Sequence, residues 1–134
     1  MNITLAMIVK NENKILPRCL DSVKDYVTSI YIHDTGSEAS EANKTTKIIE
    51  AYNGKVERVH WESFGHNRAK VIADASKNSD YVLLADADFE YVFEKNFEWP
   101  QLTDDVYFIR IKNTDMSYDY AALLKTDRVW EYEG

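Results

Sequence analysis

Hydrophobic and polar positions along the chain follow two alternating patterns. The run Ile3–Val9 is almost entirely apolar, which is typical of a strand buried on both faces of a parallel sheet. Residues 15–27 then place apolar side chains at every fourth position, which indicates an amphipathic helix. Ser29–His33 and Tyr81–Ala85 are further strand-like runs, and each is followed directly by an aspartate. The chain therefore begins with the strand–helix–strand pattern of an α/β protein.

The remaining segments extend this alternation. Helical patterns at about 38–51 and 66–76 flank a less buried strand at 55–61, so the predicted order up to the fourth strand is βαβαβαβ. Such an order implies right-handed crossovers and a largely parallel sheet flanked by helices. Residues 105–111 and 118–125 are predicted strands without a helix between them, and we expect them to add an antiparallel or mixed portion. The expected fold is one α/β domain.

Aromatic residues stand at alternate positions between these two parts, from Phe89 to Trp99. The two-residue period favours an extended segment with one aromatic face. Phe89, Phe93 and Phe97 also fit helical spacing, so the pattern leaves both alternatives open. For Trp99 and Trp130 we predict core packing rather than stacking on a sugar.

Composition narrows the classes of function. The 134 residues suit one domain, and 45% apolar with 29% charged residues allow both a core and a soluble surface. The single cysteine, Cys19, excludes an internal disulfide, fits a reducing compartment and is predicted to be a buried hydrophobe. The net charge of −7 argues against general nucleic-acid binding, because an acidic surface repels phosphates. A small phosphorylated ligand stays compatible if a divalent cation lies between it and the carboxylates.

Targeting signals are not visible in the sequence. Ile3–Val9 is too short to span a membrane and lacks the basic start of a signal peptide. We expect a cytoplasmic location, with peripheral association at a membrane as the alternative.

Carboxylates follow three of the predicted strands. Glu12 comes after the first strand, Asp34 ends the second, and Asp86 and Asp88 follow the fourth. Ligands of open parallel sheets bind beyond the carboxyl ends of the strands. Carboxylates gathered there repel one another unless a proton or a cation intervenes. The set therefore predicts a polar, cation-assisted site.

The segment Asp86-Ala87-Asp88 is the sharpest element of this set. Two aspartates separated by one small residue can both reach a divalent ion, and hard oxygen donors suit Mg²⁺ or Mn²⁺. A bare D-x-D is common by chance in an acidic protein, but its place directly after a buried strand favours a metal site. Asp104, Asp105 and Asp115 follow no comparable strand, and we interpret them as surface charges.

The other candidate residues have structural alternatives. Asp34 can bind a base or ribose, or form the turn before Gly36, and both roles can hold together. Glu12 can contact a nucleoside, or favour the start of a helix through its charge. Arg68 can bind a phosphate or base, although an exposed cation is commoner. His66 is interpreted as solvated. His33 and His60 lie in predicted strands without metal-ligand spacing, and no role is assigned to them.

These residues together resemble a known family, the family 2 glycosyltransferases with the GT-A fold. Order and spacing agree across roughly the first ninety residues. The matching blocks are Val9-Lys10-Asn11-Glu12, Asp34-Thr35-Gly36-Ser37, Trp61 with Phe64-Gly65-His66-Asn67-Arg68, and Asp86-Ala87-Asp88. Residues 128–134 resemble a later family segment more weakly.

The resemblance implies a role for each block. Asp34 is expected to contact the base of a nucleoside diphosphate, Glu12 to lie beside the nucleoside, and Arg68 to face the nucleotide. Asp86 is expected to meet the ribose or the metal, and Asp88 to bind the Mn²⁺ or Mg²⁺ that bridges the diphosphate. The implied nucleotide-sugar site comprises Val9, Asn11, Glu12, Asp34, Gly36, Asn67, Arg68, Asp86 and Ala87, with Asp86 and Asp88 as metal ligands.

The implied reaction is transfer of a sugar from a nucleoside diphosphate, with UDP favoured, to an acceptor hydroxyl with inversion. In such enzymes the catalytic base follows the matched region, so we expect it beyond Gly134 and expect this chain to be truncated or naturally minimal. Glu131 and Glu133 are poor substitutes for it. Phe89 stands where many relatives carry an acid, which puts the local metal shell in doubt.

Two alternative functions stay open from the sequence. One is a non-catalytic module that binds a nucleotide sugar. The other is a nucleotidyltransferase, which is disfavoured because Lys10-Asn11-Glu12-Asn13 supplies no glycine-rich loop. The donor sugar, the acceptor and the oligomeric state are not predicted.

Overall fold

A six-stranded sheet forms the centre of the molecule. The computed structural model describes residues 1–112 and 117–131. The strands lie in the order β3-β2-β1-β4-β6-β5. The first four are mutually parallel, whereas β6 runs antiparallel to both β4 and β5. Their bounds are β1 Ile3–Val9, β2 Ser29–Asp34, β3 Lys55–Arg58, β4 Tyr81–Leu84, β5 Val106–Lys112 and β6 Ser117–Lys125.

Three helices connect the parallel strands. They are α1 Leu16–Val23, α2 Ala39–Ala51 and α3 Phe64–Ala75. Pro17 lies in the first turn of α1, where a missing backbone donor is least costly. Ser63 caps α3 by accepting a hydrogen bond from the His66 backbone N–H, which satisfies one of the free donors at a helix start.

The helices cover the two faces of the sheet unequally. Leu16, Cys19 and Leu20 of α1 and Ile49 of α2 belong to one hydrophobic cluster with Leu5 and other residues of β1. Val71, Ile72 and Ala75 of α3 pack on the other face, against Ala6 and Val82. The crossovers that follow β1 and β2 therefore lie on one face of the sheet. The crossover from β3 to β4 lies on the other face. This change of face makes the boundary between β1 and β4 the topological switch point of the sheet.

The predicted mixed portion is confirmed, with β6 inserted between β4 and β5. Residues 89–99 form neither a helix nor a paired strand, but the single aromatic face predicted for an extended segment is present: the aromatic residues are half-buried, and Glu90, Glu94 and Glu98 between them are exposed. The rings pack inward, since Phe93 stacks on Tyr26 with 3.7 Å between centroids and the Trp99 indole N–H donates to the Tyr26 carbonyl. Trp130 likewise packs against the α3-side cluster. Core packing of both tryptophans is thus confirmed.

Among the described residues, none of the helices is both long enough and apolar enough to cross a bilayer.

Candidate functional site

Three strands end together at one edge of the sheet. Val9 pairs with Asp34 at the ends of β1 and β2, and the Ala85 N–H donates to the Ala6 carbonyl just before Asp86. Glu12, Asp34 and the Asp86–Asp88 segment therefore follow adjacent parallel strands at the same edge. This edge includes the switch point between β1 and β4, where α/β folds bind ligands.

Asp34 organises the loop that follows β2. One of its carboxylate oxygens, Oδ1, accepts hydrogen bonds from the backbone N–H groups of Gly36 at 3.1 Å and Ser37 at 2.8 Å. Gly36 has a φ of 138°, a conformation that favours glycine because it has no Cβ. Asp34 is only 1% exposed. The turn-forming role is thus present, and contact with a base or ribose stays a prediction.

Asn11 joins the loop after β1 to the loop after β2. Its backbone N–H donates to Ser37 Oγ at 2.9 Å, and its Oδ1 accepts from the Glu38 N–H at 3.0 Å. Glu12 follows, half-buried, and its carbonyl accepts from the N–H groups of Ile15 and Leu16. These bonds fix the two loops against each other at the start of α1.

Arg68 is a buried cation beneath the Asp86–Asp88 segment. It is 1% exposed, in contrast with the exposed position that is commoner for arginine. Its guanidinium donates to the Ala85 carbonyl at 3.3 Å, lies 3.2 Å from Asp86 Oδ1 and is hydrogen-bonded to the Tyr120 hydroxyl. Phe64 lies under the guanidinium at 5.4 Å. The second turn of α3 thus supplies the positive charge that faces Asp86.

The two aspartates of the pair have different surroundings. The Asp86 carboxylate is 43% exposed and paired with Arg68. Asp88 is exposed, and its carboxylate makes no hydrogen bond or ion pair within residues 1–112 and 117–131. Arg18 donates only to the Asp88 backbone carbonyl, at 3.2 Å. The carboxylate of Asp88 is therefore available to an ion or a ligand.

Cys19 lies close to the negatively charged Asp86–Asp88 segment. Its Sγ lies 3.6 Å from the Asp86 carbonyl. Burial, and then the charges of Asp86 and Asp88, raise the pKa of the thiol to about 12. Cys19 therefore stays a protonated, buried side chain at neutral pH, as the sequence predicted.

Asn67 has a structural role that the sequence did not predict. It is fully buried, and its Oδ1 accepts from the N–H groups of Glu62 at 2.9 Å and Ser63 at 3.2 Å. Its Nδ2 donates to the His60 carbonyl at 3.0 Å. These bonds hold the segment that leads into α3, and hence the position of Arg68. A direct contact of Asn67 with a nucleotide stays a prediction.

A cavity of about 360 Å³ opens at this edge of the sheet. Its lining residues come from the ends of β1 and β2 and from the segment before α3: Ile8, Val9, Lys10, Glu12, Thr35 and Trp61. A larger cavity of about 540 Å³ lies at the opposite edge, where Met1, Asp80 and Thr126 are among its lining residues. The smaller cavity lies at the carboxyl ends of the parallel strands, and Val9, Glu12 and Trp61 of the predicted motif blocks line it, whereas Asp34, Arg68, Asp86 and Asp88 are not among its lining residues.

His33 belongs to a group that the sequence analysis missed. Its imidazole, Glu57 and Asp74 offer ligand atoms that all lie within 4.8 Å of one another. Burial lowers the pKa of His33, and the neighbouring Asp74 and Glu57 charges oppose that shift. The expectation of no role rested on spacing along one strand, whereas the three residues come from β2, β3 and α3. Sequence spacing gives no signal for such a group.

Two residues discussed above, Asp115 and Glu133, lie outside the described residues. Glu131 is described and is exposed.

Comparison with known proteins gives one family. The sequence profile described as "Glycosyl transferase family 2" matches residues 4–98, a span that contains all four motif blocks. A TPR repeat-containing protein of Synechococcus elongatus is 37% identical over 101 residues, which are 75% of this chain and 23% of that protein.

Solved structures share the fold. A crystal structure of S. aureus TarS in complex with UDP has a TM-score of 0.53 and 20% identity, over 66% of this chain and 28% of that chain. M. tuberculosis glucosyl-3-phosphoglycerate synthase has a TM-score of 0.50 and 17% identity, over 66% of this chain and 35% of that chain. The chain thus spans about a quarter to a third of the length of these proteins, and the structural similarity identifies a GT-A fold.

Proposed function

The chain belongs to glycosyl transferase family 2, and from this premise we propose that it binds the nucleotide-sugar donor of a metal-dependent, inverting glycosyltransferase. The observation that carries the proposal is the exposed Asp88 carboxylate, which has no hydrogen bond or ion pair among the described residues, beside an Asp86 paired with buried Arg68. Both aspartates lie at the switch point, where ligands of this fold class bind.

The residues present fit a divalent cation that is shared with a diphosphate. Asp88 offers both carboxylate oxygens, and Asp86 keeps Oδ2 outside its contact with Arg68. Mg²⁺ and Mn²⁺ sites commonly combine one or two carboxylates with phosphate oxygens and water. When bound, such an ion supplies positive charge that stabilises the departing diphosphate. It also explains how a protein of net charge −7 accepts a doubly phosphorylated donor.

The side chains of the chain itself would bind and orient the nucleotide. Arg68 fixes the direction of the Asp86 carboxylate and balances its charge before any ligand arrives. The loops after β1 and β2, fastened to each other through Asn11 and Ser37, would hold the nucleoside beside Val9, Glu12, Asp34 and Gly36. The side chain of Ala87 is buried in the hydrophobic cluster that α1 covers, so only its backbone would contact the sugar-phosphate.

UDP is the nucleotide we propose, because TarS, which shares the fold, has been crystallised with UDP and with UDP-GlcNAc. The sugar would leave the diphosphate by direct displacement at its anomeric carbon, and a base would take the proton of the acceptor hydroxyl. We assign that base to none of the described residues. A chain without it would act as a binding module.

Calorimetric titration of UDP-GlcNAc tests the proposal. We expect binding in the presence of Mn²⁺ and none in the presence of a chelator. Asp88→Asn should weaken the Mn²⁺-dependent binding roughly tenfold to a hundredfold, since the loss of a charge-assisted contact costs about 1.5–3 kcal/mol.

The matched control is Asp104→Asn, which removes an exposed carboxylate that follows no buried strand and should leave affinity unchanged. Equal affinity with and without the metal would refute the proposal. Release of GlcNAc or its transfer to an acceptor, followed separately, distinguishes an active transferase from a binding module.

A further inference from the structure

His33, Glu57 and Asp74 form a three-sided group on the sheet face that α3 covers. His33 and Asp34 are consecutive in β2, so their side chains point to opposite faces of the sheet. Glu57 is the register partner of His33 on β3, and Asp74 lies in the last turn of α3. The group therefore joins three elements and is separate from the carboxylates of the nucleotide site.

The distances within the group suit a shared ion. His33 Nε2 lies 3.1 Å from Asp74 Oδ2 and 3.9 Å from Glu57 Oε2. Ligand atoms at about 2.0–2.2 Å around a tetrahedral Zn²⁺ are separated by roughly 3.3–3.5 Å. The separations of 3.1 and 3.9 Å from Nε2 lie on either side of this value, and all three ligand atoms lie within 4.8 Å of one another.

His33 is a buried polar side chain without a hydrogen-bond partner. The side chain has 0% exposure, and neither ring nitrogen makes a hydrogen bond within the described part of the chain. Nε2 is close to Asp74 Oδ2, but the two groups are not aligned as donor and acceptor. Lone pairs directed at a common point between them would give this combination of short distance and poor alignment. Buried polar atoms are normally paired; the ion-pair contact with Asp74 satisfies Nε2 in part, and a ligand shared by the three side chains would complete it.

Outer contacts hold the two carboxylates in place. The Tyr31 hydroxyl donates to Glu57 Oε2 at 2.7 Å, and Lys77 Nζ lies 3.5 Å from Asp74 Oδ1. Lys77 therefore pairs with Asp74 Oδ1, and the other oxygen of Asp74, Oδ2, is the one that lies beside His33. Such partners are typical around metal-binding carboxylates.

We propose that His33, Glu57 and Asp74 bind a Zn²⁺ ion that fastens the end of α3 to β2 and β3. One imidazole nitrogen and two carboxylates match the ligand preference of Zn²⁺ better than that of Mg²⁺, which takes oxygen ligands. Water completes the fourth position, because the Glu57 side chain is 56% exposed and leaves the site open on that side. The ion satisfies Nε2 and fastens the helix that carries Arg68.

Calorimetric titration of ZnCl₂ into the nucleotide-free 134-residue chain tests this site. It is carried out in the Asp88→Asn background, so that the Asp86–Asp88 segment cannot supply the affinity. We expect one Zn²⁺ per chain and an increase in melting temperature with added zinc. Adding Glu57→Gln or Asp74→Asn, which preserve shape, should each weaken binding at least tenfold. The control Glu62→Gln alters an exposed carboxylate beside His66, at 3.2 Å, and should leave affinity unchanged.

X-ray absorption of the zinc-loaded protein gives a second measurement, with one imidazole and oxygen ligands at about 2.0–2.2 Å expected. Far-ultraviolet circular dichroism first establishes that the amide variants are folded without metal. The proposal is overturned if the Asp88→Asn protein binds no zinc, or if Glu57→Gln and Asp74→Asn bind it as tightly as their background. Neither result depends on nucleotide binding, so this inference and the proposed function fail independently.

Discussion

Arg68 is the residue on which the geometry of the candidate site most depends. It brings a full charge into the interior and compensates for it with the Ala85 carbonyl, the Asp86 carboxylate and the Tyr120 hydroxyl. These partners come from the segment that follows β4 and from β6. One side chain at the start of α3 therefore fixes the direction in which Asp86 points.

Arg68→Met should lower the free energy of unfolding by about 2–3 kcal/mol, because a carbonyl and a partly buried carboxylate lose a charged donor. Denaturant unfolding measures this loss. Arg110→Met is the control, since the Arg110–Asp119 pair has 60% exposure on both sides and such pairs contribute about 0–1 kcal/mol. Equal losses in the two variants would show that Arg68 has no special structural role.

Tyr52 connects the end of α2 to α1. Its hydroxyl donates to Asp21 Oδ1 at 2.6 Å, and this bond, with burial, raises the pKa of the phenol to about 12. The folded state therefore holds the phenolic proton more tightly than the unfolded state. The contribution to stability is complete below pH 10 and is lost as the pH rises from about 10 to about 12.

Tyr52→Phe should cost about 1 kcal/mol at neutral pH. The difference in unfolding free energy between the parent and the variant should shrink over the alkaline range, as followed by urea unfolding at a series of pH values. A difference that stays constant up to pH 12 would contradict the assigned hydrogen bond.

The sequence predicted which acidic residues lie at the strand ends, but it did not predict the contacts that their neighbours make. The acidic residues and their common edge follow from apolar runs that each end at a polar segment. The burial of Arg68 and the backbone role of Asn67 could not be predicted, because their partners Tyr120 and His60 lie on other segments. The grouping of His33 with Glu57 and Asp74 escaped prediction for the same reason.

The turn between α2 and β3 depends on tight packing at Gly54. A Cβ at this position would lie 2.8 Å from Ile49 Cγ2 and 3.0 Å from Ile30 Cγ2, which is closer than side-chain atoms approach. Gly54→Ala should therefore destabilise the protein by about 1–3 kcal/mol through overpacking. Gly65→Ala, within helix α3, should instead be neutral or stabilising by up to about 1 kcal/mol. Thermal unfolding of both variants measures the contrast, and an unchanged melting temperature for Gly54→Ala would count against this packing.

The elements that were predicted well are those with a strong local signal. Ile3–Val9 is the predicted first strand, and α2 and α3 begin and end within about two residues of their predictions. The position of β6 beside β4 depends on long-range pairing, which no local pattern encodes. The aromatic face of residues 89–99 follows from the two-residue period, whereas their lack of strand pairing has no local signal.

At the scale of the whole molecule, the proposed nucleotide site and the His33 group occupy different parts of the sheet. The crossover face changes between β1 and β4, and we propose the nucleotide site at the carboxyl ends of these two strands. The His33 group lies on the α3 face, and the larger cavity near Asp80 lies at the opposite edge. Since β1 spans seven residues, the two edges are roughly 20 Å apart.

Paramagnetic broadening of backbone amide resonances by Mn²⁺, in the presence of UDP, tests the central claim most directly. The account predicts the strongest broadening at Lys10–Glu12 and Asp86–Asp88, little at Asp80 and Thr126, and loss of this pattern in Asp88→Asn. Broadening centred on Asp80 and Thr126, or an unchanged pattern in Asp88→Asn, would contradict it.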